Sequence, residues 1–292
     1  MRRQARFELN PMHYDLHSHS TASDGTLGPA ALVQRAACQG VDVLALTDHD
    51  STAGHAEARA AADEAGIRFV PGVEISVTWG GTTVHIVGLH VDGDHPALQR
   101  ALTTIRATRD GRAEAIAEKV GQLGIDNALA KARELAPGGL VARTHFARLL
   151  VNQGLADDVG AAMKKYLLRG KAAYVDAQWA DLEDAVAWII EAGGIPVIAH
   201  PARYKFTASK LRVLTQSFRE MGGQAMEVVS GSHGPDDVQS MAAHCRRAGL
   251  YASQGSDYHG PENPWVELGR LGTLPGDLKP VWELFPGGEL GS

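Results

Sequence analysis

Seven short runs of aliphatic and β-branched residues alternate with helical patterns along most of the chain, and no other feature limits its fold as strongly. The runs occupy 14–18, 41–47, 68–73, 84–89, 194–199, 225–230 and 250–254. Helical patterns lie between them, such as 29–39 with Pro29 in its first turn and Gly40 at its stop, and 54–65 ending at Gly66. Strands separated by helices pair in parallel, so the expected fold class is α/β, a seven-stranded β/α barrel. One stretch breaks the rhythm. From Pro96 the sequence reads as a long polar helix to Gln122, then a loop around Pro137-Gly138-Gly139 and further helices to about Glu191. The organisation expected is a first part of the barrel over 11–95, a mainly helical insertion over 96–191 that could roof a site, and a second part over 192–282.

Composition removes several functions. At 292 residues with 44% hydrophobic residues, the chain can bury a substantial core. A formal charge of −6 argues against coating long nucleic acid by bulk electrostatics, while leaving room for a local basic pocket and for short or small phosphorylated ligands. Cys38 and Cys245 are too few for a disulfide scaffold or a cysteine-built zinc site and suit a reducing compartment, so a cytoplasmic location is expected. Arg2, Arg3 and Arg6 are not followed by the apolar run of an export signal, and no run approaches the roughly 20 apolar residues that span a bilayer. No membrane association is expected, and no obligate protein partner. The Gly-rich tail 286–292 is expected to fray.

The 13 histidines are numerous for this length, and several stand at or just beyond the ends of apolar runs. His17 and His19 are two apart at the end of the first run, which places both imidazoles on one face. Asp24 follows on the loop and can reach back toward an ion that they share. The second run ends in Thr47-Asp48-His49-Asp50; strand ends are where barrels of parallel strands collect functional residues, which makes His49 a candidate ligand with Asp48 and Asp50 to orient it. Glu74 is a lone carboxylate among apolar neighbours, costly to bury unless compensated, and suits a bridging metal ligand. His85 interrupts the fourth run, His200 ends the fifth, and Asp257 and His259 form another period-two pair just beyond the seventh. These nine nitrogen and oxygen ligands exceed the needs of one ion and imply two or three divalent ions with bridging carboxylates. Mixed imidazole and carboxylate ligation suits Mn²⁺, Fe²⁺ or Zn²⁺ without deciding among them, and Mn²⁺ is taken as the expected occupant. Such a cluster is suited to phosphoester hydrolysis.

Basic groups near these strand ends supply a hold on phosphate. Arg143 and Arg203 have the forked geometry that fits a phosphoryl group, and Arg148 is expected on a helix surface. His145 is read as a donor to the phosphate or leaving oxygen, with a helix-cap role as its alternative. Ser232 and His233 follow the sixth run and are expected at the same mouth. His13, His55, His90, His95 and His244 fall outside the pattern. Trp179, Tyr204, Phe206 and Tyr258 are candidates either for base stacking or for packing.

Taken in order, Asp15-Leu16-His17-Ser18-His19-Ser20, Thr47-Asp48-His49-Asp50, Gly72-Val73-Glu74, Ala199-His200-Pro201 and Ser256-Asp257-Tyr258-His259 resemble the PHP (polymerase and histidinol phosphatase) superfamily. The likeness runs from about Met12 to Gly260 and implies a distorted seven-stranded β/α barrel with a two- or three-metal site. The phrases Ser23-Asp24-Gly25-Thr26-Leu27, Val84-His85-Ile86-Val87-Gly88-Leu89, Arg143-Thr144-His145-Phe146-Ala147-Arg148 and Glu227-Val228-Val229-Ser230-Gly231-Ser232-His233 are similar to the branch of nucleoside 3',5'-bisphosphate phosphatases, also described as 5'-to-3' exoribonucleases on short RNA. That resemblance implies removal of the 3'-phosphate to leave a 5'-monophosphate, with small nucleotides and short RNA as partners. It implies one ion on His17, His19, Glu74 and Asp257, a second on Glu74, His85 and His200, and a third on Asp24, His49 and His259. His90 stands as an alternative to His85, since some branches place this histidine later on the strand. Arg143, His145 and Arg203 would bind phosphate. The alternatives are a phosphomonoesterase of the histidinol-phosphate type, a hydrolase of C–N bonds, and a non-catalytic metal-binding accessory module.

Overall fold

The computed structural model describes residues 12–286; the N-terminal residues 1–11, on which the expectation about export rests, and 287–292, nearly all of the tail expected to fray, lie outside the described residues. The strands β1 (Tyr14–Asp15), β2 (Val43–Leu46), β3 (Arg68–Trp79), β4 (Thr82–Leu89), β5 (Ile195–Ile198), β6 (Ala225–Ser230) and β7 (Tyr251–Gly255) form one seven-stranded sheet in sequence order. The sheet curls until its ends nearly meet. The Leu16 N–H donates to the Gln254 carbonyl at 3.1 Å, and Ser18 bridges Tyr258 in parallel. The first ladder covers only Tyr14 and Asp15 of the expected 14–18; beyond it the chain keeps single contacts to its neighbours, with the Thr47 N–H donating to the Ser18 carbonyl at 2.9 Å.

Alternation along each strand separates two cores. Val43 and Ala45 of β2 point inward with Leu16, Val70, Val87 and Val197, whereas Leu44 and Leu46 pack outward against α1 (Pro29–Cys38) and α2 (His55–Ala65). A third apolar layer lies between the sheet and α7 (Leu182–Glu191), α8 (Ala208–Glu220) and α9 (Pro235–Ala248). Between β4 and β5 the chain forms α3 (Pro96–Gly121), α4 (Ala128–Glu134), α5 (Arg143–Asn152) and α6 (Val159–Ala162), the last running into one π-helical turn, Met163–Leu167. These helices bury an apolar cluster of their own around Val120, Phe146, Leu150 and Leu167. Among the described residues no helix is long and apolar enough to cross a membrane.

One expectation is corrected. The strands are not all parallel, because β4 runs antiparallel to both β3 and β5. The cause is local. Gly80 and Gly81 stand between β3 and β4 with φ of 53° and 71°, the paired positive φ of a two-residue hairpin loop, which reverses the chain without a crossover helix. That reversal has a consequence for the site, since residues early in β4 lie at the same barrel mouth as the ends of the parallel strands.

Candidate metal centre

At the mouth, the ends of the parallel strands and the first half of β4 bring together all nine expected ligands. Glu74, fully buried on β3, is the hub. Its Oε1 lies 2.8 Å from His85 Nδ1 and 3.0 Å from His200 Nε2, and its Oε2 lies 2.9 Å from His49 Nδ1, 3.3 Å from His19 Nε2 and 3.4 Å from His17 Nε2. Asp257 Oδ1 faces His17 Nε2 and His19 Nε2 at 3.4 and 3.2 Å, while Asp24 Oδ1 faces His259 Nε2 at 3.3 Å and His19 Nδ1 at 4.0 Å. Register explains the choice between His85 and His90. Ser76 of β3 opposes His85, so His85 shares the inward face with Glu74; His90, past the far end of the antiparallel strand, packs 4.4 Å from the Phe285 ring away from the mouth.

The donors converge as they would on cations. Each of three groups, His17 with His19, Glu74 and Asp257, then His19 with Asp24, His49 and His259, then His49 with Glu74 and His85, offers ligand atoms within 4.8 Å of one another. Bonds of about 2.0–2.2 Å from imidazole and carboxylate to a divalent ion fit within such spacing. His49 Nδ1 and Glu74 Oε2 are buried and close yet without a hydrogen-bond partner, and His19 Nδ1, Asp24 Oδ1 and His200 Nδ1 are likewise unsatisfied. Burying that many unsatisfied polar atoms is costly, and ions at these groups would satisfy those of His19, Asp24, His49 and Glu74. The grouping differs in detail from expectation: His19 joins Asp24, His49 and His259, and His49 joins Glu74 and His85, while His200 approaches only through Glu74.

Electrostatics follow the same logic. Burial opposes the ionised form of Glu74, but His49, His85 and His17 hold its carboxyl well below the usual carboxylate range. Asp24 is held down against burial by His259 and His49, and Asp257 by Arg203 and His17. Burial and the neighbouring His259 lower His19 to about 3, whereas Asp24 raises His259 to about 9 despite burial. Three strained backbones frame the cluster. His200, Asp257 and Asp50 adopt φ of 30°, 56° and 48°, a region that non-glycine residues occupy only where surroundings enforce it.

A carboxylate beneath the ligands was not singled out from the sequence. Glu227 of β6 accepts from His17 Nδ1 at 2.6 Å through Oε1 and from the His200 N–H at 2.6 Å through Oε2, which fixes the His17 tautomer and turns its Nε2 lone pair into the cluster. A β-bulge immediately follows it. Its signal, a single acid in the apolar run Met226-Glu227-Val228, is the same one that pointed to Glu74. Asp48 and Asp50 do not orient His49 directly. Asp48 accepts from Ser20 and Ser23 and so pins the loop leading to Asp24; Asp50 accepts from Ser76 and from Arg109 Nε at 2.6 Å.

Opposite the ligands stands a wall of guanidinium groups. A cleft of ≈ 120 Å³ is lined by the exposed edge of the cluster and by Arg109, Arg112, Arg143 and Arg203 together with Trp179 and Met163. Arg109 and Arg112 lie 5.0 and 5.4 Å above the Trp179 ring, and Arg112 also donates through Nε and Nη2 to the Val175 carbonyl. Burial and the neighbouring Arg143 and Arg109 push Arg112 down to about 9. Neither α3 arginine was singled out, although Arg106, Arg109 and Arg112 recur every third residue and therefore share a helix face. Arg203 is bound to the Asp257 carboxylate at the rim. Arg148 is not a free surface residue; it donates to the Asp24 carbonyl at 2.9 Å and to Glu262.

Two expectations for the mouth are corrected. His145 is fully buried and does not line the cleft; its Nδ1 accepts the Ala142 N–H at 2.9 Å, the cap role rather than the donor role, because the first turn of α5 leaves that N–H without a helical partner. Burial lowers it to about 4, so it stays neutral. Ser232 is exposed and His233 Nδ1 is bound to the Val228 carbonyl, since the chain turns back there after β6; neither lines the cleft. Of the aromatic candidates, Tyr258 is buried and Tyr204 donates to the Ala199 carbonyl, while Trp179 faces the cleft.

Comparison with known proteins agrees with this geometry. The model of the PHP domain matches residues 15–194. A 3',5'-nucleoside bisphosphate phosphatase of Chromobacterium violaceum is 47% identical over 92% of this chain and 94% of that protein. The 5'-3' exoribonuclease Rnm of Escherichia coli is 46% identical over 93% of each. A solved structure from Chromobacterium violaceum, described as an amidohydrolase with bound sulfate and no metal, superposes with a TM-score of 0.88 at 47% identity, covering 92% of this chain and 94% of that one. A buried histidine and carboxylate cluster at the mouth of a seven-stranded barrel, a domain match over more than half its length and relatives this similar over nearly all of it make this chain a member of the PHP family.

Proposed function

We propose that the chain is a metal-dependent phosphoesterase that removes the 3'-phosphate of nucleoside 3',5'-bisphosphates to leave 5'-monophosphates, and that the same site releases mononucleotides from the 5' ends of short RNA. The observation that carries this reading is the facing of a three-part ligand cluster by three insertion arginines, Arg109, Arg112 and Arg143, across one narrow cleft with Arg203 at its rim. Such a wall matches phosphate oxygens and has no comparable use on a neutral amide. The relatives named as bisphosphate phosphatase and as exoribonuclease support it. The two activities need not compete for explanation, because both break the bond between phosphorus and O3' of the leading nucleotide.

His17, His19, Glu74 and Asp257 would hold one ion, Glu74 with His49 and His85 a second, with His200 beside it, and Asp24, His49, His19 and His259 a third; Mn²⁺ is the expected occupant. Bound divalent ions supply a water of lowered pKa and a clamp on phosphoryl oxygens. The protein does the rest. Glu227 keeps His17 and the turn at His200 in place, Arg143 and Arg112 take phosphate oxygens from the insertion side, and Arg203 can exchange its carboxylate partner for phosphate. His145 acts as a positioning residue that caps the helix carrying Arg143 and Thr144, the latter donating to Asp24 at 2.8 Å. The cleft is small, so the nucleoside extends beyond it.

Phosphate release from adenosine 3',5'-bisphosphate by Mn²⁺-loaded protein, with histidinol phosphate beside it, tests the reading. Turnover of the bisphosphate well above histidinol phosphate is expected. Silence on bisphosphates of all four nucleosides by protein shown to hold metal would overturn it.

A further inference from the structure

Cationic residues collect on one stretch of the insertion that borders the cleft. From Val159 to Val175 the chain has no acidic residue and four basic ones, Lys164, Lys165, Arg169 and Lys171, in a protein of formal charge −6. The stretch includes the π-helical turn Met163–Leu167, a geometry found often at functional sites. Lys165 is engaged locally, with Nζ 3.1 Å from the Leu155 carbonyl. Lys164 and Lys171 are exposed, and Arg169 meets Asp176 at 3.4 Å with both side chains largely in solvent, a pairing of little strength.

Three links tie this stretch to the site. Met163 lines the cleft, the Val175 carbonyl holds Arg112, and a groove of ≈ 320 Å³ lined by Thr82, Gln178 and the solvent-exposed Arg169–Asp176 pair shares Thr83 with the cleft. An ordinary solvated charge run lacks such continuity with a phosphate-binding wall. The groove is walled on the β3–β4 side by Thr78, Thr82 and Thr83, whose hydroxyls accept from Trp179 and Lys210 and keep their own O–H to donate to a phosphodiester oxygen.

We infer that Lys164, Arg169 and Lys171 form a track for the phosphodiester backbone of RNA beyond its first nucleotide. The inference rests on the phosphoesterase reading above and adds to it a surface that separates the two substrates: a nucleoside bisphosphate ends near the cleft, whereas an oligonucleotide must leave along its rim. Single-stranded binding of this kind is electrostatic and weakens with salt, each phosphate contact contributing about 0.7 to the logarithmic slope.

The test is the combined substitution Lys164→Gln, Arg169→Gln and Lys171→Gln, all on exposed side chains. Two measurements are made across a salt series: kcat/KM on a 5'-phosphorylated ribodecamer and on adenosine 3',5'-bisphosphate, and affinity for a 2'-O-methyl ribodecamer that is not cleaved. The expected result is a loss of about tenfold on the cleavable decamer at low salt, a binding slope shallower by about 2, and an unchanged rate on the bisphosphate. Unaltered decamer binding, or an equal loss on both substrates, overturns the track. Failure of the parent protein to hydrolyse either substrate sinks the phosphoesterase reading, whereas the slope of 2'-O-methyl decamer binding still decides the track.

Discussion

The two walls of the cleft are built differently. On the barrel side, ligands stand on or just beyond strands, buried and fixed by neighbours: Glu227 holds His17, Asp48 holds the Asp24 loop, and His200 and Asp257 accept positive φ. On the insertion side, arginines reach across from α3 and α5 on long side chains, held by a carbonyl, an indole face or a single carboxylate. On the proposed reading, the first wall is preorganised for ions whose bond lengths tolerate little error, and the second adapts to a substrate that comes and goes. Substitutions in the barrel wall should therefore remove metal, and those in the insertion wall should weaken substrate while leaving metal in place.

The largest effect is expected at Glu74, which faces five imidazoles. Glu74→Gln should lower metal content and cut turnover by more than the roughly 10–100-fold attached to outer partners of ligands; elemental analysis showing full occupancy would break the distinction between the walls. Glu227→Gln touches no ion directly and should cost about 10–100-fold in metal affinity, recoverable in part by excess Mn²⁺. On the other side, Arg143→Ala removes a charge-assisted hydrogen bond of about 1.5–3 kcal/mol, so KM for the bisphosphate should rise roughly tenfold to a hundredfold with metal content unchanged. A loss of metal in this variant would show the walls to be coupled. Stripping the ions with a chelator should lower the melting temperature by on the order of 5 °C, reversed by Mn²⁺, because ligands that bind only the folded state stabilise it. The smallest effect belongs to His90→Asn, which should leave metal content and kcat within about twofold, since that side chain packs on Phe285 away from the mouth.

Legibility differed between the walls for the same reason. His49, Glu74 and His200 were readable because each is a polar residue ending or interrupting an apolar run, where burial without compensation is unfavourable. Glu227 carries the same signal, but inside a strand with no polar residue beside it to suggest a site. Arg109 and Arg112 carried none of comparable strength: polar residues on a polar helix are what solvent exposure alone would produce, and their threefold spacing becomes informative only once the face they share is known to meet a cleft. His145 and Ser232 show the opposite error, in which nearness to a motif in sequence stood in for a direction in space.

Seven strands, a helical stretch between the fourth and fifth, and nine side chains of the kind that hold divalent ions were legible along the chain, because periodicity and the cost of burying charge are local properties that residues carry with them. Which end of β4 reaches the mouth, and hence His85 over His90, is settled in three dimensions, because a Gly80-Gly81 hairpin reverses the strand and register then assigns every side chain to a face. It also decided that an insertion helix supplies the opposing arginines, since helix packing brings together residues that no spacing along the chain connects.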